Sequence, residues 1–147
     1  MIFPRLPQSF LKKPKGLKLP DAKKMRKELL SVGEQVAEEF MDTVKSNIET
    51  NKYGYSLKQE TIKRKGSNIP LVDSGQLLDA IYREGTKVSV NDEVREDSPL
   101  TNKQLAIVHE YGIKDRGVPP RPVWRSTWKD YREEATSKVR ESLKRKK

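Results

Sequence analysis

The chain has no cysteine and a single histidine. The first absence excludes disulfides and thiolate chemistry, and suits a reducing compartment. The second leaves little for a metal centre, which needs several ligands, or for a general base, which needs an activating neighbour. There is no Gly-rich phosphate loop and no His/Asp/Glu cluster at ligand spacing. Aromatic residues make up only 7% of the chain, and no apolar run approaches the ~18–20 residues of a membrane span. Pro4, Pro7 and Pro14 break up an N-terminus that has no long apolar stretch, so a signal peptide is not expected. These absences together lead to an expectation of no enzyme, no cofactor, no metal and no membrane partner.

Charge is what the chain has in quantity. Charged residues are 35% of its 147 positions and hydrophobic residues 33%, which suits one domain with a modest core. Part of the chain is then an arm, or part of its apolar surface is covered by partner subunits. The net charge is +10, and its placement is uneven. Residues 1–20 carry Arg5, Lys12, Lys13, Lys15 and Lys18 with no acid. Residues 138–147 carry Lys138, Arg140, Lys144, Arg145, Lys146 and Lys147 against Glu141. The stretch 21–137 is formally neutral. The excess therefore argues for two cationic arms and against a basic groove built into the fold. Lys12, Lys13, Lys15, Lys144, Arg145, Lys146 and Lys147 are the candidate contacts for DNA or an acidic partner. The chain divides into a proline-rich basic arm (1–20), a single domain (21–137) and a basic tail (138–147).

Within the arm, Ile2, Phe3, Leu6 and Phe10 are too apolar for an inert linker. They are candidates for packing on a neighbouring subunit. Asp21 then caps a helix. Met25, Leu29, Val32, Val36, Phe40, Val44 and Ile48 recur every three or four residues, which predicts an amphipathic helix of about 28 residues. Gly33 lies inside it, either as a close-approach point or as a tolerated weakness. Tyr53-Gly54-Tyr55 reads as a turn and Lys63-Arg64-Lys65-Gly66 as a solvated basic loop. Asp73 or Ser74 is expected to cap a short helix carrying Leu77, Leu78 and Ile81. Residues 86–90 alternate as a strand, and 93–95 return as its partner across an Asn91-Asp92 turn. Thr101 or Asn102 caps a further short helix that ends at Gly112. Pro119, Pro120 and Pro122 hold the next stretch extended, and helix resumes near Arg125 or Ser126. Trp124, Trp128, Tyr131, Ala135 and Val139 mark its apolar side. The fold class is α+β: a long N-terminal helix and a C-terminal helix on a small antiparallel sheet, with two short helices and flexible basic arms.

Two segments invite functional readings. Asp73-Ser74-Gly75 matches the active-site triplet of retroviral-type aspartic proteases, where two identical aspartates share a proton. That fold is nearly all β and has a small residue at the position of Gln76, so a helix cap explains the triplet better. His109, beside Glu110 near a helix C-terminus, reads as structural. Arg121 among prolines, with Pro119 and Trp124, is the best interaction candidate. Arg and Trp are frequent binding hot spots, and prolines remove ordering entropy in advance. The alternative is that Trp124 and Trp128 fill the domain's own core.

The order of the pieces adds a resemblance. A long helix precedes Ser56-Leu57 and Thr61-Ile62-Lys63, followed by Pro70-Leu71-Val72-Asp73-Ser74-Gly75-Gln76-Leu77 and a short strand. Ala106-Ile107-Val108-His109-Glu110-Tyr111-Gly112 and Val118-Pro119-Pro120-Arg121-Pro122 follow. Across roughly residues 22–140 this resembles the HK97 gp10-like family of tailed-phage neck and tail-completion proteins. In that family a Leu/Val-Asp-Thr-Gly-x-Leu piece opens a short helix. A His-Glu-Phe-Gly piece precedes the Pro-x-Arg-Pro-Phe that leads into the last helix. Here Ser74, Tyr111 and Val123 stand for the usual Thr, Phe and Phe, keeping capping or apolar character. The resemblance implies a structural virion protein assembled in the host cytoplasm, with no catalytic residues. It would form a ring of its own copies, often a hexamer, at the head–tail junction. Its neighbours there would be head-closure or connector proteins and tail-terminator or tail-tube proteins, with genomic DNA passing through. The competing expectation is a small non-specific nucleic-acid-binding protein that uses its basic tails.

Overall fold

The computed structural model describes residues 21–66, 68, 75–95 and 98–144. Helix α1 (Ala22–Glu49) has the predicted 28 residues and starts where Asp21 accepts a hydrogen bond from the Lys23 amide. Its apolar stripe is used unevenly. Ala37, Val44 and Ile48 are buried, whereas Leu29 and Leu30, nearer the start, are exposed. Helix α5 (Val123–Lys144) runs antiparallel to α1 and makes the largest packing surface of the fold. One bridge between them is polar: buried Asn47 donates through Nδ2 to Thr127 Oγ1 at 2.9 Å. A second joins Glu39 to the Tyr131 hydroxyl at 2.6 Å and to the Lys138 ammonium. Burial first, then the hydrogen bond to Glu39, pushes the Tyr131 phenol up to about 12, so it stays a donor.

Three short helices and a hairpin fill the space beside this pair. Strands β1 (Ile81–Glu84) and β2 (Lys87–Val90) pair antiparallel across the loop Gly85-Thr86, with Gly85 at φ 58°. Ile81 and Val90 face the core formed with Val44, Ile48, Leu77, Ala80 and Val123. Gly33 of α1 lies under the hairpin tip: a Cβ there would sit 2.9 Å from Thr86 Cγ2. The glycine is therefore a close-approach point and not merely a tolerated weakness.

The architecture is α+β, as expected, but several details differ. Ile81 opens β1 and is not part of the short helix, α3, which covers only Gln76–Asp79. The partner of residues 87–90 is therefore 81–84, and Val94 makes only an isolated bridge to Thr101. Gly85 adopts the positive φ that a two-residue hairpin loop needs, and so wins over the Asn91-Asp92 signal. The N-cap position of α3 is Gly75, with no side-chain cap; Asp73 and Ser74 lie outside the described residues. Residues 63–66 are not a loop. Lys63, Arg64 and Lys65 form the last turn of α2 (Gln59–Lys65), where the helix dipole favours cations, and left-handed Gly66 closes it. The third short helix, α4 (Asn102–Tyr111), has a full capping box from Thr101 and Gln104. α5 begins at Val123, earlier than expected, and continues through Lys144 into the stretch read as a tail.

Candidate assembly interface

Residues 109–125 form a self-tied connection between α4 and α5. Gly112 ends α4 at φ 69°, ψ −178°, a conformation essentially restricted to glycine. It also lies against backbone, since a Cβ there would be 2.5 Å from the Val118 carbonyl oxygen and 2.7 Å from the Pro120 nitrogen. Ile113 and Val118 exchange both backbone hydrogen bonds, at 2.9 and 3.0 Å, around a 3-10 turn at Lys114–Arg116. The strut then returns: the Arg121 amide donates to the His109 carbonyl at 2.6 Å. Its guanidinium reaches the Ser56 carbonyl at 3.3 Å, and the Tyr55 hydroxyl donates to the Pro122 carbonyl at 3.2 Å.

The centre of this connection is Glu110. A helix leaves its first amides without intrahelical partners, and Pro122 has no side chain to cap them. The buried Glu110 carboxylate does so from the neighbouring helix. It accepts from the Trp124 amide at 3.1 Å, the Arg125 amide at 2.9 Å and Arg125 Nε at 3.1 Å. Arg125 Nη2 donates back to the Glu110 carbonyl at 2.9 Å, and the guanidinium lies 4.6 Å from the Tyr111 ring centroid. A buried anion at a helix N-terminus has both hydrogen bonds and the macrodipole in its favour. His109, next to it, is neutral. Burial first, then the charges of Arg121, Lys65 and Arg95, bring its imidazole down to about 4, and its buried Nδ1 has no hydrogen-bond partner among the described residues.

This arrangement presents an aromatic face. The buried stripe of α5 is Val123, Thr127, Tyr131 and Ala135, so Trp124 and Trp128 are rotated to its flank. Trp124 packs partly buried on the core, and Trp128 is 48% exposed, edge-on to Phe40 at 5.5 Å between ring centroids. An open groove of about 310 Å³ runs between Gly33, Phe40, Val88 and the two tryptophans. A second, of about 260 Å³, lies on the other side of Trp124, lined by Val90, Ile107 and Tyr111. Ile107 and Tyr111 are 52% and 63% exposed.

Of the residues proposed from sequence, Pro119, Arg121 and Trp124 are brought together by the strut. Pro119 is exposed, Arg121 is engaged with Ser56, and Trp124 divides the two grooves. Lys144 is exposed at the end of α5. Ile2, Phe3, Leu6, Phe10, Lys12, Lys13, Lys15, Arg145, Lys146 and Lys147 lie outside the described residues. Glu110 and the exposed trio Trp128, Ile107 and Tyr111 were missed as site residues. The available signal for Glu110 was an acid at the end of one helix, with no capping side chain before the next. Among the described residues no cluster of His, Asp or Glu is disposed to hold a metal. No protein-family model, no curated protein and no solved structure matches the chain.

Proposed function

We propose that this chain is a structural virion protein of a tailed phage, a neck or tail-completion component that forms a ring at the head–tail junction. The observation that carries the reading is the aromatic face around Trp124 and Trp128. Half-exposed Trp128, Ile107 and Tyr111 flank two apolar grooves, and large exposed apolar patches mark surfaces that a partner covers. The element order supports it: a long helix, a short helix after Gly75, and Glu110-Tyr111-Gly112 feeding a proline strut into the last helix. In this reading the neighbouring copy covers the grooves, and its apolar arm with Ile2, Phe3, Leu6 and Phe10 is a suitable occupant. The test is mass spectrometry of purified virions from the phage that encodes the chain, with cross-linking to identify neighbours. Recovery in several copies, cross-linked to itself and to a connector or tail protein, is expected; absence from the virion sinks the proposal.

A second reading, a non-specific nucleic-acid-binding protein, is favoured by the concentration of excess charge outside the neutral body. It predicts DNA affinity that falls steeply with salt and disappears when both tails are removed.

A further inference from the structure

A cleft of about 750 Å³ opens between α2, α4 and the 113–121 strut, away from the tryptophan grooves. Lys58, Arg64, Lys65, Arg95, Arg116 and Arg121 all line it. None of its described lining residues is acidic. Among the described residues the formally neutral body thus gathers cations on one face, a placement that a count of charge along the sequence does not show.

We propose that this cleft is the docking site for an acidic segment of a partner protein, an extended peptide that carries several carboxylates and an aliphatic side chain. Four of the six cations are arginines, whose planar fork pairs bidentately with carboxylates. Lys58, Arg64 and Arg116 are exposed and make no ion pair among the described residues. Lys65 and Arg95 already interact within the chain, so they supply field more than free donors. Partly buried Leu57, Leu105 and Val118 give the cleft an apolar wall for an aliphatic side chain. No Phe, Tyr or Trp is among the described lining residues, so these offer bases no aromatic stacking platform, which favours a peptide over single-stranded nucleic acid. His109 also lines the cleft, and three of the six cations, Arg121, Lys65 and Arg95, bear on its titration. The proposal rests on the cleft alone and stands or falls independently of the virion reading.

The single histidine supplies the readout that separates the cleft from the basic tails. A fluorescein-labelled peptide of repeating Glu-Glu-Leu, about ten residues long, is titrated into the full-length chain near physiological salt, where the screening length is about 8 Å. The expected result is saturable binding. Arg64→Glu with Arg116→Glu should weaken it at least about tenfold, while the melting temperature falls by no more than about 4 °C for the lost cation at the α2 C-terminus. A control variant, Arg140→Glu with Lys144→Glu, should stay within about threefold of wild type because both residues are exposed near the far end of α5, several screening lengths of helix from Arg121 in the cleft. Saturation near pH 7, where the peptide's carboxylates stay charged, should also shift the His109 ring-proton resonances, followed by proton NMR, because His109 lines the cleft. Unchanged affinity in the double arginine variant overturns the proposal, as does a His109 ring resonance that peptide binding leaves unmoved. An oligothymidylate that binds more tightly than the peptide, and loses affinity in the same variant, assigns the cleft to nucleic acid instead.

Discussion

Replacing Glu110 by alanine removes the shared acceptor of the Trp124 amide, the Arg125 amide and Arg125 Nε. The guanidinium is half-exposed and can turn to water, but the two amides open a helix beside a buried side chain. Loss of a helix cap costs about 0.5–2 kcal/mol, and each buried donor left unpaired about 1–3 kcal/mol. Since the new cavity admits some water, a net loss of about 3 kcal/mol is expected for Glu110→Ala. At about 2–4 °C per kcal/mol for a chain of this size, the melting temperature should fall by about 6–12 °C. Arg125→Ala leaves both amides capped and should cost only about 1 kcal/mol. The assay is urea unfolding followed by circular dichroism, with both single variants and the double variant in one cycle. The coupling energy should be well below the Glu110 cost, because two of its three hydrogen bonds come from backbone. The Glu110 effect should also survive molar salt, which would erase a surface ion pair. If Glu110→Ala unfolds within about 0.5 kcal/mol of wild type, the capping argument is wrong. Equal costs for the two single variants would reduce it to an ordinary salt bridge.

Other outcomes follow from the same region. Gly112→Ala must place a Cβ against the Val118 carbonyl at a glycine-only conformation, and should destabilise by at least about 2 kcal/mol in the same urea assay. His109 is neutral in the fold down to about 4, whereas its unfolded value is about 6.5. The unfolded state therefore binds the extra proton. The stability His109 contributes is complete above pH 6.5 and is lost as pH falls toward 4, by up to about 3 kcal/mol. Unfolding midpoints at pH 7 and pH 4.5 should show this, and His109→Gln should flatten the slope between them. If the proposed virion role holds, Trp128→Glu should cost monomer stability only about 1–2 kcal/mol, for the lost edge contact with Phe40, yet abolish incorporation into virions.

What sequence could disclose tracked how local the cause was. The stripe from Met25 to Ile48 and the Asp21 cap lie within one element, and α1 followed at its predicted length. The Thr101–Gln104 capping box is local as well. α2 was misread because its last turn is nearly all charge, which in a short segment looks like a loop. The hairpin was paired wrongly because two adjacent turn-forming side chains, Asn91-Asp92, drew the turn there, while Gly85-Thr86 depends on one positive φ. Glu110 was not legible as a cap because its target is a helix more than ten residues further on. That contact exists only because Gly112 and the Ile113–Val118 pairing fold the chain back. The tryptophans were placed on the inner side of α5 because aromatics outrank threonine in any hydrophobicity argument. The fully buried Thr127, satisfied by Asn47, takes that place instead.

The fit of Thr86 over Gly33 has a mechanical consequence. The first half of α1 carries exposed Leu29 and Leu30 and contributes little burial, so apolar packing there offers weak resistance to axial slippage. Slippage by one helical turn, about 5.4 Å, would bring a bulkier residue such as Leu29, Leu30, Val36 or Ala37 under the hairpin tip. Each of these carries a Cβ, and a Cβ at the position of Gly33 would lie 2.9 Å from the Thr86 methyl. The notch therefore acts as a keyway that sets the axial position of α1. A pull on its N-terminal end is carried into the β1–β2 hairpin as load instead of being dissipated by sliding.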